Sequence, residues 1–130
     1  MTAFPFQPII RGGPLWPCAT VMLEGMPTPL RCLVDSGSRQ NRFAAWTAKA
    51  SGIDLASITP TRIGIGGEVL SARTTPVRLS IGGFSWEAPV SFCDPWPWDH
   101  NLVGHEGFFR FFVVTIDAAN HVLDIKPNAT

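Results

Sequence analysis

Charge is scarce in this chain. Ten Lys and Arg face ten Asp and Glu among 130 residues, so charged side chains make up 15%, the formal net charge is zero and the sequence pI is about 6.8. Without a basic run, nothing in the chain favours nucleic acid or an anionic membrane surface as a partner. A surface this poor in charge, on a chain that is 45% apolar, suits burial of some apolar area against a second copy. Long hydrophobic runs are missing too. No stretch reaches the 18 or so apolar residues of a membrane-spanning helix. Met1-Thr2-Ala3-Phe4-Pro5-Phe6 lacks the basic start and apolar centre of a signal peptide, so the chain is read as soluble and cytoplasmic. Cysteine is rare: Cys18, Cys32 and Cys93 form an odd set without C-x-x-C spacing, each within an apolar run. Buried free thiols fit this pattern better than a disulfide framework. Internal repeats and low-complexity tracts are absent.

Turn residues, by contrast, are abundant. Twelve Gly and twelve Pro punctuate short apolar runs, the pattern of an all-β domain of short strands. At 130 residues the chain is read as one domain, 1–130, with 1–16 as an N-terminal arm or edge segment. Cys18 to Glu24 predicts a strand. Gly25-Met26-Pro27-Thr28-Pro29 turns it into an antiparallel partner over Leu30 to Val34. Ala44 to Ala50 is the one good helix candidate, closed by Gly52 as a C-cap. Polar and apolar residues alternate from Pro76 to Ile81, and Gly82-Gly83 turns that strand into Phe84 to Phe92. Asn101 to Val103 reads as a short buried strand running into a turn or helical turn, and Phe111 to Asp117 and His121 to Ile125 as a closing hairpin. Phe108, Phe109, Phe111 and Phe112 read as core or interface residues.

One stretch organises the rest. Leu30-Arg31-Cys32-Leu33-Val34 carries an apolar run straight into Asp35-Ser36-Gly37-Ser38, where Gly37 lets the chain reverse. A carboxylate at the end of such a run has to be solvated, paired or hydrogen-bonded, because an unpaired buried charge costs several kcal/mol, of order 3–5. Further along stand a glycine-rich hairpin, Gly64-Ile65-Gly66-Gly67, and a second apolar pair running into glycine, Leu102-Val103-Gly104. In that order and spacing, over roughly residues 18 to 127, the chain resembles the retropepsin-like aspartic proteases. The resemblance implies an all-β closed barrel of the acid-protease type with one short helix, and a homodimer. It implies Asp35 as the catalytic carboxylate within Asp35-Ser36-Gly37, and Ser36 bonded across a two-fold axis to the partner loop. Gly64 to Gly67 would be the flap, with Ile65 closing over substrate. Trp98, Asp99, His100 and Leu102 would line the substrate groove.

Chemistry agrees with the dimer: hydrolysis by this route needs two carboxylates sharing one proton, and the chain offers one Asp-Ser-Gly. Departures from the retroviral pattern define further expectations. Ser38 stands where Ala is usual, and its hydroxyl is expected to donate to the Asp35 carboxylate, favouring the ionised form and a more acidic optimum. Gly104-His105-Glu106 replaces Gly-Arg-Asn/Asp, while Arg39 stands where the retroviral enzymes have Asp. The charges look exchanged, with Arg39 available to meet Glu106 in support of the catalytic loop. A metal site built from Cys93, Asp99, His100, His105 and Glu106 lacks the tight ligand spacing of known motifs. The reading is an aspartic endopeptidase with no metal or organic cofactor, acting as a homodimer on a peptide or protein substrate. The alternative is a non-catalytic peptide-binding or dimerisation module on the same fold.

Overall fold

The computed structural model describes residues 2–128. In chain order the elements are β1 (Thr2–Pro5), β2 (Gln7–Pro8), β3 (Leu15–Trp16), β4 (Cys18–Leu23), β5 (Leu30–Val34), β6 (Asn41–Ala44), α1 (Ala45–Ser51), β7 (Thr61–Ile65), β8 (Glu68–Ile81), β9 (Phe84–Asp94), β10 (Asn101–Val103), a π-helical turn (His105–Phe109), β11 (Phe112–Asp117) and β12 (Val122–Pro127). Strands dominate because turn residues interrupt every apolar run before a helix could bury a face. The exception is α1. Its Ala-rich sequence lacks such a breaker until Gly52, which takes φ +83° and donates its N–H back into the last turn.

Six strands close into a barrel in the order β4, β5, β10, β6, β9, β8, with β8 returning to β4 through Met22 opposite Ser80 and Leu23 opposite Leu79. Most neighbours are antiparallel, but two pairings are parallel: β5 with β10, and β6 with β9. These cross-connections bring a segment from near residue 102 alongside the strand that ends at Val34. Alternation along β8 turns Val77, Leu79 and Ile81 inward. Inside the barrel, Val21, Leu23, Cys32, Phe43, Leu79, Val90, Phe92, Val103 and Phe108 are at most 1% exposed. Trp86 seals one end against Phe108 and Phe112, and its indole N–H donates to the Gly107 carbonyl at 2.8 Å. All three cysteines are free and buried. Burial raises each thiol's pKa, that of Cys93 to about 11.

Outside the barrel, β7 and the first part of β8 form a projecting hairpin. A separate three-stranded sheet runs β1, β12, β11, and β2 pairs with β3. The segment expected as an N-terminal arm is therefore folded back: Thr2 lies opposite Ile125 and Pro5 opposite Val122, while Met1 lies outside the described residues.

Candidate active site

Asp35 follows directly on β5. Its own N–H donates to the Val103 carbonyl at 3.0 Å, which extends the parallel pairing of β5 with β10 by one residue. Its carboxylate Oδ1 accepts the Gly37 N–H at 2.9 Å, and its carbonyl accepts the Ser38 N–H at 3.1 Å. The turn is closed around the acid by main-chain donors. A side chain at position 37 would bring Cβ within 3.2 Å of that carboxylate oxygen, a close approach that glycine avoids.

The π-helical turn straps this loop from behind. His105 N–H donates to the Ser38 carbonyl at 3.0 Å and Glu106 N–H to the Arg39 carbonyl at 2.8 Å. The His105 ring adds a third tie: Nε2 lies 2.6 Å from the Ser36 carbonyl and so carries the donated hydrogen, and the ring stacks on Phe109. Gly104 makes the approach possible, since a Cβ there would overlap the Ser38 carbonyl. Asn41, fully buried, bridges the same region: its Oδ1 accepts the Gly104 N–H and its Nδ2 donates to the Gly107 carbonyl, both at 3.1 Å.

Two expected contacts are replaced. The Ser38 hydroxyl donates to the Gln40 carbonyl at 2.7 Å instead of the Asp35 carboxylate, because the turn directs it inward, where Ser38 is 8% exposed. Glu106 pairs with Arg110 at 2.9 Å instead of Arg39. Arg110 lies one turn along the same helical face, whereas Arg39 meets Glu106 only through the main chain.

Asp35 is half-buried and opens onto a cleft of about 740 Å³. Ile65 of the β7–β8 hairpin lines this cleft, as do Trp98, Asp99, His100 and Leu102. The sequence-predicted groove residues and flap tip are thus brought to one cavity with the acid. Gly66 and Gly67 make the hairpin turn at φ +56° and +83°, the two positive angles a two-residue turn of this hand requires. Ile63 and Ile65 pack with Trp96 and Trp98 on a small cluster of Leu70, Ala72 and Cys93, and the turn glycine Gly66 lies against the Trp98 ring, so the hairpin and the tryptophan loop meet there. His100 is 8% exposed, and its pKa is lowered by burial and then by Arg31, against the opposing charge of Asp99. Ile9, Ile10 and Arg11, the tip between β2 and β3, also line the cleft, although sequence reasoning does not single them out. An apolar pair held between Pro8 and Gly12-Gly13-Pro14 is the available signal.

A closed barrel that delivers an Asp-Ser-Gly turn beneath a glycine-tipped hairpin is the retropepsin-like fold. The chain belongs to the aspartyl protease family, whose profile matches residues 19–105. A solved structure, a retropepsin-like aspartic protease from Rickettsia conorii, superposes with a TM-score of 0.64 at 18% identity, covering 94% of this chain and 86% of that one. Among curated proteins no match is found.

Proposed function

We propose that this protein is an aspartic endopeptidase that acts as a homodimer, with Asp35 from each copy forming the catalytic pair. The observation that carries the reading is the Asp35 carboxylate, held by the Gly37 N–H and opening onto the cleft that Ile65 of the hairpin also lines. One carboxylate cannot at the same moment take a proton from the attacking water and donate one to the scissile carbonyl. Two that share a proton can. The ionised partner removes a proton from the attacking water, while the protonated one polarises the scissile carbonyl. The tetrahedral intermediate collapses as a proton passes to the amine nitrogen, and the pair is left with the single proton it began with.

Other residues take supporting roles in this reading. Ser36, exposed beside Asp35, bonds across the two-fold axis to the partner's loop. Gly64 to Gly67 closes over the bound peptide, with Ile65 excluding water. Trp98, His100 and Leu102 make an apolar wall for substrate side chains, with Asp99 at its rim. Ser38 and the main chains of Arg39 and Glu106 keep the loop in place. No metal or organic cofactor takes part. The cytoplasm suits three buried thiols that form no disulfide. Among the described residues no helix is long and apolar enough to cross a membrane.

The test is cleavage of a peptide library by the wild type and by Asp35→Asn. The expected outcome is cleavage by the wild type alone, with both proteins folded. Cleavage that survives in Asp35→Asn would overturn the assignment. Peptide binding without turnover in the wild type would instead favour the non-catalytic module.

A further inference from the structure

Leu15, Trp16 and Ile116 are exposed by 43%, 45% and 43%, and all three line one groove of about 500 Å³. Leu33, Val34, Asp35 and Ser36 line the same groove. Apolar area therefore collects at the foot of the loop that carries the acid. Beside it runs β11, which pairs with β12 along one side only. Among the described residues its other edge is unpaired across all six positions, Phe112 to Asp117. Natural sheets protect such edges with proline, lysine or a bulge. This one carries Val113 at 52% exposure, Ile116 at 43%, no proline and no lysine. At the opposite edge of the same sheet, β1 ends in Pro5.

We infer that the open edge of β11, with the adjoining groove, is the face on which a second copy docks, β11 against β11 in antiparallel pairing. The inference rests on the homodimeric reading above and says which surface makes the dimer. Three observations favour a second copy as the occupant. The groove includes Asp35, and the site is incomplete without another Asp35. The terminal strands are not free to interlace with a neighbour, because β1 and β12 pair with each other within the chain. Finally, the strand is compatible with its own copy. Identical antiparallel neighbours are related by a two-fold axis perpendicular to the sheet, and such an axis keeps each face on its own side. Phe112, Val114 and Ile116 alternate onto one face, and Val113 and Thr115 onto the other. The apolar row that ends at Ile116 therefore continues into the same row of the partner, and the β-branched pair on the far face does likewise. Three strands from each copy would form one continuous sheet beneath the two Asp35 loops.

The experiment is sedimentation equilibrium on the full chain, comparing the wild type with Val113→Lys and Ile116→Lys, with near-ultraviolet circular dichroism as the check on folding. Both side chains are exposed in the single chain, so the substitutions are compatible with its fold. The expected result is a dimeric wild type and a dissociation constant raised by at least about tenfold in each variant, the equivalent of ~1.4 kcal/mol. A second arm uses the double variant Val113→Cys/Thr115→Cys. Its new thiols face one another whether the axis passes Val114 or Thr115, so mild oxidation should link two chains. A wild type that dimerises while both lysine variants dimerise as tightly and the thiols fail to link would overturn this interface and leave the homodimer standing on another surface. A wild type that stays monomeric at every concentration, with and without a peptide inhibitor, would overturn the interface and the homodimeric reading together. Should the lysine variants fail to fold, the linking of the cysteine variant decides.

Discussion

Position 35 is held by groups whose own side chains mostly do not matter: the N–H groups of Gly37, Ser38, His105 and Glu106, and the carbonyl of Val103. Where a side chain does take part, its partner is specific. The Ser38 hydroxyl is committed to the Gln40 carbonyl. Ser38→Ala is therefore expected to lower stability by about 1 kcal/mol, the ordinary worth of one hydrogen bond, and to leave both limbs of the kcat/KM profile against pH where they were. Curves that separate along the pH axis would mean that the hydroxyl reaches the carboxylate after all. His105 is the other case. Its ring donates to the Ser36 carbonyl at 2.6 Å, so His105→Ala should loosen the loop and speed hydrogen exchange of the amides from Asp35 to Ser38, while His105→Gln, which keeps a donor of similar reach, should restore much of the protection. Equal exchange in all three proteins would remove His105 from the support of the loop.

The β7–β8 hairpin and the loop from Pro95 to His100 belong together as a pair of elements. Three glycines around Ile65 suggest a tip with few fixed contacts, yet Ile63 and Ile65 pack on the same Leu70, Ala72 and Cys93 cluster as Trp96 and Trp98, and Gly66 lies against the Trp98 ring. Trp96 is itself fixed by its indole N–H to the His100 carbonyl at 2.9 Å and by an edge-on contact with Trp98 at 4.9 Å between ring centres. Removing one of these faces should free the hairpin without reaching the barrel core. Trp98→Ala is expected to raise hydrogen exchange from Gly64 to Gly67 by about tenfold, with little change in global Tm, because opening the tip would cost ~1.4 kcal/mol less. Unchanged exchange would show that the tryptophan loop does not hold the hairpin down. The same loop carries a pH dependence. Burial, and then Arg31, disfavour the protonated form of His100 in the fold, so on acidification below its ordinary value near 6.5 the unfolded chain takes up a proton more readily than the folded one. Stability from this group is present above that pH and declines below it. Thermal melts across this range should fall less steeply for His100→Gln than for the wild type.

At the scale of the whole molecule, the first strand contributes stability without entering the Asp35 cleft. β1 adds to β12 over four registered positions and half-buries Phe4 against the core. Deleting residues 1–5 should therefore lower Tm while leaving the proposed β11 docking edge intact, since β11 lies two strands away at the other edge of that sheet. A truncated chain that keeps its Tm but stays monomeric where the full chain dimerises would reverse the roles of the two edges. Thiol chemistry offers a second check at this scale. The Cys93 thiol, raised by burial to about 11, remains protonated in the fold over a range where an unfolded chain would ionise it. Its contribution to stability is complete below pH 9 or so and is lost as pH rises toward 11. Melts of Cys93→Ala should show a shallower alkaline decline than the wild type, the remainder coming from the buried thiols of Cys18 and Cys32.

Much of this was determined by the sequence alone, because local chemistry carried it. Gly25, Gly52, Gly66-Gly67 and Gly82 mark their turns by taking positive φ angles that other residues avoid, Pro27 and Pro29 mark theirs by rigidity, and the strands between them follow from period-two alternation. The place of Asp35 at the end of an apolar strand was legible for the same reason. What only the tertiary structure decided are relations between distant residues. That β5 and β10 run parallel, so that Val103 receives the Asp35 N–H, depends on a crossover which no local pattern encodes. Asn41 sits in a polar stretch, Gln40-Asn41-Arg42, yet it is fully buried because two main-chain groups on the far side of the chain, at Gly104 and Gly107, require a partner that can both accept and donate. The choice of Arg110 over Arg39 by Glu106, and of Gln40 over Asp35 by Ser38, came down to which group lay within reach once the turns had closed. Ile9 to Arg11 joined the cleft in the same way, carried there by a hairpin whose sequence marks a turn but not its destination.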